Sequence, residues 1–319
     1  MKRRMTIKYL LLISLLTLAV VTLAQVKPEV SISENTTNIS LSEKLRGEVE
    51  AALKQRDFKQ AETLLVNEIN QQKNSGEAAK LLIFTAGIFF LDGDWLNTAI
   101  CYKKAEKISP LDARSRFTLA MAYLKLNQAS WAVPELKKLV QEQPENALYI
   151  YWLGRIDYDA QKYDQAVIKL RKAVELDPTT IRAYDNLGLT YEHLSDNEAA
   201  AKSYRAAIEL NRKQTNPSPW PNLNLAILMM GKNGLEEAEN LLREALRYDA
   251  KLPQIHYNLG QILAKQNKPI EAKDALLQAI LLDNNYAEPH YTLSRIYQKQ
   301  GEKIKAKEEL ELFQKLKKK

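Results

Sequence analysis

One cysteine, ten glycines and an aromatic fraction of 8% leave this 319-residue chain few means of building a disulfide-stapled or β-rich domain. Cys101 stands alone, so no internal disulfide and no cysteine-based metal cluster is available. A single cysteine at a helical position reads as a small buried hydrophobe. Alternating Val/Ile/Thr stretches are scarce, which argues against strands. Acidic residues are missing from the first 24 positions, where Lys2, Arg3, Arg4 and Lys8 hold four positive charges. Without that segment the formal charge falls from +7 to +3, too little for the basic stripe a nucleic-acid partner requires. Gly-x-Ser-x-Gly, His-Glu-x-x-His and phosphate-cradling glycine loops are also lacking. The carboxylates scatter over solvated faces without an acid–base pair. The chain reads as non-enzymatic, with no metal and no cofactor.

What is present begins with a three-part N-terminus. Met1 to Lys8 is basic, Tyr9 to Val21 is almost wholly apolar, and Thr22-Leu23-Ala24 places small residues at −3 and −1. That is the design of a secretory signal peptide over 1–24, with cleavage expected after Ala24. The alternative is an uncleaved membrane anchor: the uncharged stretch from Tyr9 to Val26 spans 18 residues, the lower limit for crossing a bilayer. In either case the rest of the chain is expected outside the cytoplasm, periplasmic or secreted. Residues 25–41 are rich in Ser, Thr and Asn and read as a flexible linker. Asn35 and Asn38 head glycosylation triplets that matter only in a eukaryotic secretory route.

From residue 42 onward the sequence repeats every 34 residues. Leu-Gly pairs stand at Leu153-Gly154, Leu187-Gly188 and, after one slip of four, Leu259-Gly260. Numbering each unit 1 to 34 with this pair at positions 7 and 8, units start near 42, 79, 113, 147, 181, 219, 253 and 287. Position 8 is small (Ala86, Ala120, Gly154, Gly188, Ala226, Gly260, Ser294), as is position 20 (Ala61, Thr98, Ala132, Ala166, Ala200, Ala238, Ala272, Ala306). Small residues at both let two antiparallel helices approach closely. Position 24 is large, from Leu65 and Tyr102 to Tyr204, Leu276 and Leu310. Position 32 is proline at Pro110, Pro144 and Pro178, which ends a second helix. A fixed period of this length is the signature of stacked helical hairpins.

The unit at 147–180, with Tyr163-Asp164-Gln165-Ala166 and Leu176-Asp177-Pro178, resembles the tetratricopeptide repeat family, and the resemblance covers 42–319. It implies an all-α fold, a right-handed superhelical solenoid of about eight repeats. Three departures stand out. The first unit carries Glu48 and Glu68 at apolar positions and reads as a polar cap. The fourth has Asp157 at position 11, with Tyr158 expected to pack in its place. Thr215 to Ser218 is an insertion before Pro219-Trp220-Pro221, expected to bulge and turn Trp220 to solvent. His256 and His290 share position 4 and read as packing residues, while His193 ends a first helix.

The resemblance also implies that first helices line a concave groove through positions 2, 5, 6, 9, 12 and 13. Position 6 is asparagine in three successive units, Asn186, Asn224 and Asn258. A carboxamide both donates and accepts, so a row of them suits any peptide backbone. The row is similar to the asparagine ladder of O-linked N-acetylglucosamine transferases. Tyr151, Arg155, Tyr257, Gln261, Tyr291 and Arg295 accompany it as side-chain contacts, being residue types that dominate interface energetics. The family's carboxylate clamp is absent, since positions 5 and 9 lack its lysine and asparagine. The expected function is a scaffold holding an extended polypeptide of a partner protein. The competing reading is a structural subunit assembling through its convex face or ends, or an accessory to a glycosyltransferase.

Overall fold

The computed structural model describes residues 39–71 and 76–318, and the expected signal segment and most of the linker lie outside them. Among the described residues there are sixteen helices and no strand. They form eight antiparallel hairpins, two helices to each 34-residue unit. The chain divides into two units, 1–144 and 145–319.

The first unit holds α1 (Glu43–Lys54), α2 (Phe58–Gln71), α3 (Gly76–Asp92), α4 (Trp95–Glu106), α5 (Ala113–Lys125) and α6 (Ala129–Glu142). Its first hairpin is closed by Val49, Leu53, Ala61 and Leu65 packing on Leu81, Phe84 and Ile88 of α3. Ile39, at the end of the expected linker, is buried in this core, and Leu41 packs against it. Cys101 is buried on α4, where loss of hydration pushes its thiol up to about 11.

The second unit holds α7 (Ala147–Asp159), α8 (Tyr163–Leu176), α9 (Ile181–His193), α10 (Asn197–Asn211), α11 (Trp220–Gly231), α12 (Leu235–Tyr248), α13 (Pro253–Lys265), α14 (Pro269–Leu282), α15 (Ala287–Lys299) and α16 (Lys303–Lys317). Positions 8, 20 and 24 meet inside each hairpin. A β-carbon on Gly188 would stand 2.4 Å from the Tyr204 ring, and one on Gly260 would stand 2.6 Å from Leu276 and 3.1 Å from the Ala272 carbonyl. Tyr204 is fully buried and cannot swing aside. The close approach of the two backbones therefore depends on the missing side chain.

Each hairpin turns in the same way. Position 15 is left-handed in all eight: Arg56, Gly93, Asn127, Gln161, Ser195, Asn233, Asn267 and Gly301, with φ between 57° and 83°. The next residue donates its N–H to the carbonyl of position 11, as in Gln128 to Tyr123 at 2.8 Å and Lys268 to Leu263 at 2.9 Å. This is the Schellman closure of a helix C-terminus, and it satisfies carbonyls the helix leaves orphaned.

Two of the three departures resolve differently. Tyr158 is buried, as expected, while Asp157 pairs with Lys169 at 2.5 Å. The 215–218 insertion is clipped at its base: Asn211 donates its carboxamide to the Ser218 carbonyl at 2.7 Å and accepts the Ser218 N–H at 2.8 Å. Arg212 then grips Glu244 of α12 through both carboxylate oxygens, at 2.8 and 2.7 Å. With its base closed, the insertion does not push α11 outward, and Trp220 packs inside as the first residue of that helix. The expectation that Trp220 faces solvent is corrected.

Candidate functional site

In the second unit each first helix lies beside the next, so α7, α9, α11, α13 and α15 form one face. Position 6 falls on it in register, which brings the asparagines to neighbouring helices. Their carboxamides are engaged by the protein itself. Asn186 accepts from Arg155 Nη1 at 2.9 Å and donates to Tyr151 Oη at 3.3 Å and to the Arg182 carbonyl at 2.8 Å. Asn224 donates to Asp185 Oδ1 at 2.9 Å. Asn258 donates back to the Gln254 carbonyl at 2.7 Å. All three side chains are buried.

Arg155 is the hub of this network. Its guanidinium spans to both oxygens of Asp159 at 3.1 Å and lies over the Tyr158 ring. Its burial costs hydration, which the acid, the carboxamide and the ring together offset. Next to it, burial pushes the Asp185 carboxyl up to about 6, against the pull of Asn224 and Arg155. Tyr158 also bonds His193 at 3.2 Å, and His193 stacks on Tyr163 with centroids 4.3 Å apart. Burial lowers the His193 pKa, holding the ring toward its neutral form. His290 pairs with Glu309 at 2.6 Å, and His256 reaches the Ala250 carbonyl at 2.8 Å. All three histidines are thus held by their own surroundings.

The face opens at its C-terminal end. A cavity of about 390 Å³ lies between α13 and α15, lined by Gln261, Ala264 and Lys265, by Asn267 of the following turn and Pro269 at the start of α14, and by Tyr291, Thr292, Arg295, Ile296 and Lys299. Tyr257 is buried behind it. Gln261 donates to the Tyr257 hydroxyl at 2.6 Å, and Tyr286 meets that ring edge-on at 5.1 Å. Tyr291 is 43% exposed and leans on Phe313 at 5.3 Å.

The nine residues singled out from sequence therefore fall into two groups. Asn186, Asn224, Asn258, Tyr151, Arg155 and Tyr257 are buried, and each carries an internal hydrogen bond. Gln261, Tyr291 and Arg295 line the cavity. Sequence reasoning passed over Lys265 and Lys299, although both occupy position 13, a groove position, in successive units. It also passed over Asp185, the buried carboxylate at position 5.

Chemically, this surface offers hydrogen bonding and charge in a half-open pocket of ligand-binding size. Among the described residues no helix is long and apolar enough to cross a membrane, and no cluster of three or more His, Cys, Asp or Glu could hold a metal ion.

Comparison with known proteins places these hairpins. Family models described as TPR repeat and tetratricopeptide repeat match residues 154–195, 181–214, 223–287 and 287–319. The anaphase-promoting complex subunit CDC16 of Saccharomyces cerevisiae is 26% identical over 168 residues, half of this chain and 20% of that protein. The type IV pilus assembly protein PilF of Pseudomonas aeruginosa is 25% identical over 150 residues, 46% of this chain and 60% of that one. The chain thus spans only a minor to moderate part of these relatives' lengths. A solved tetratricopeptide repeat protein from Parabacteroides merdae superposes with a TM-score of 0.62 at 16% identity, covering 80% of this chain and 98% of the other. Repeat spacing and hairpin geometry agree with these models, and residues 154–214 and 223–319 carry tetratricopeptide repeats.

Proposed function

We propose that this chain is a non-enzymatic scaffold that binds an extended segment of a partner protein along the first-helix face of residues 145–319. The observation that carries this reading is the open cavity between α13 and α15, into which Gln261, Tyr291 and Arg295 project from successive units. A tyrosine and an arginine beside a pocket are the residues on which interface energy concentrates. The relatives support a protein partner, since one is a subunit of a complex and another a pilus assembly protein. The basic, apolar and small-residue pattern of 1–24 supports placement outside the cytoplasm, with the mature chain beginning at Gln25 or anchored through residues 9–26.

A second reading has its own observation. The second helices expose large apolar side chains, among them Ile168 on α8, Ile270 and Leu281 on α14 and Ile304 on α16, each more than two-thirds exposed. Isolated exposed residues need no explanation, but Ile270, Leu277 and Leu281 form a stripe along α14 that suits a subunit contact.

Panning a library of displayed twelve-residue peptides against the chain separates the two. Enriched peptides should bind the Gln261→Ala, Tyr291→Ala, Arg295→Ala triple variant at least about tenfold more weakly, each truncation at such a site costing about 1 kcal/mol. Peptides that ignore this variant but lose affinity when Ile270 and Leu281 become serine would replace the groove reading with the second-helix one. N-terminal sequencing of the exported chain tests the location, with Gln25 expected first.

A further inference from the structure

The walls of the α13–α15 cavity carry three cations, Lys265, Arg295 and Lys299, and no acidic side chain. Each is exposed, and none makes an ion pair among the described residues. Some nearby lysines are matched, Lys268 to Glu239 at 3.3 Å, Lys317 to Glu288 at 2.5 Å and Lys305 to Glu302. Elsewhere on the face Arg155 is buried against Asp159. Three cations without a counter-ion thus share one pocket that has no acidic wall. Lys265 and Lys299 lie in the last turns of their helices, so the carbonyl ends of α13 and α15 already favour cations there.

We infer that this pocket selects an acidic segment: an extended stretch of partner protein with two side-chain carboxylates spaced i, i+2. The inference rests on the groove reading above and gives it a substrate class. The spacing follows from geometry. Arg295 and Lys299 are four apart on α15, which sets their side chains roughly 6 Å from each other on one helix face. In an extended chain, residues two apart share a face at about 6.6 Å. A carboxylate on each therefore meets Arg295 and Lys299 without distortion, and Lys265 answers from the α13 wall. Ala264, Pro269 and Ile296 supply an apolar floor, and Tyr291 a rigid flank, for the side chains between and beside the acids. The pocket volume of about 390 Å³ suits two or three residues.

The test uses the full exported chain and fluorescein-labelled twelve-residue peptides read by fluorescence polarisation. One peptide carries Asp-Leu-Asp in a Gly/Ser context, a second Asn-Leu-Asn, and a third Lys-Leu-Lys. The acidic peptide should bind best, at least about tenfold tighter than the amide peptide, and weaken as salt is raised. Alanine at Lys265, Arg295 or Lys299 should each weaken it about three- to fivefold. Each is exposed, so the helices remain intact, which circular dichroism verifies. Equal binding of the acidic and amide peptides, with both weakened by Tyr291→Ala, overturns the acidic selection and leaves the groove reading standing. Acidic preference untouched by the three alanines overturns this site. Binding of none of the peptides overturns the acidic selection and counts against the groove.

Discussion

Asp185 shows at the scale of one residue what the interior of a repeat stack does to chemistry. Its carboxyl is buried between α9 and α11 with Asn224 as its hydrogen-bond donor, and loss of hydration outweighs that bond and the attraction of Arg155. Its folded pKa, about 6, therefore lies above the unfolded value of about 3.9. A raised pKa means the folded state holds the proton more tightly. The contribution to stability is full below about pH 3.9 and is lost as pH rises through 6. Asp185→Asn keeps an oxygen acceptor for Asn224 and removes the charge. The variant should melt a few degrees higher than the parent at pH 7, a gain on the order of 2 kcal/mol, and the difference should vanish near pH 4. Thermal melts across pH 4 to 7 check this. A difference that stays constant across that range would show that Asp185 does not titrate as its burial requires. The same scale explains two of the asparagines: with Arg155, Tyr151 and Asp185 within reach, Asn186 and Asn224 each fasten a first helix to the previous one, whereas Asn258 bonds back to its own helix.

At the scale of the element, the turn at position 15 is the shared device. Its left-handed backbone favours glycine, and asparagine is the best of the rest, yet Gln161, Ser195 and Arg56 hold it too, with φ of 59°, 62° and 57°. Replacing Gln161 and Ser195 by glycine should stabilise the chain by about 1 kcal/mol each, since a β-carbon in that region strains against the following carbonyl. The two lie in different hairpins, so the gains should add. Urea unfolding measures it, and a loss of stability at either site would mean that its side chain contributes more than its backbone costs. Glycine at Gly93 and Gly301 and asparagine at three further turns hint at this geometry in the sequence. Gln161, Ser195 and Arg56 give no such hint, because the Schellman bonds on either side impose the conformation on whatever residue stands there.

At the scale of the molecule, stacked hairpins draw stability from their immediate neighbours, so part of an array can stand without the rest. Residues 145–319 contain five complete hairpins and the whole of the candidate face. A fragment of these residues should therefore be helical by circular dichroism and melt cooperatively. A broad, non-cooperative melt would show that these hairpins need residues 1–144 to fold. The acidic-peptide assay belongs to this scale too, because the pocket is made of two consecutive repeats and neither helix alone contains it.

The sequence alone determined the helical hairpins and their number, because a period of 34 with small residues at positions 8 and 20 and bulky ones at 24 leaves no other way to bury the apolar stripes. It also placed Gln261, Tyr291 and Arg295 on one face, since the register of a repeat carries a position from helix to helix. Only the tertiary structure decided which of the marked residues are open. Trp220 turned inward because Asn211 and Ser218 close the insertion beneath it. Asn186, Tyr151 and Arg155 closed on one another because buried polar groups must find partners, and the nearest stand on the adjoining helix. Lys265, Arg295 and Lys299 were left unpaired because no acid lines the space between α13 and α15, a property of the pocket that the spacing of the repeat does not contain.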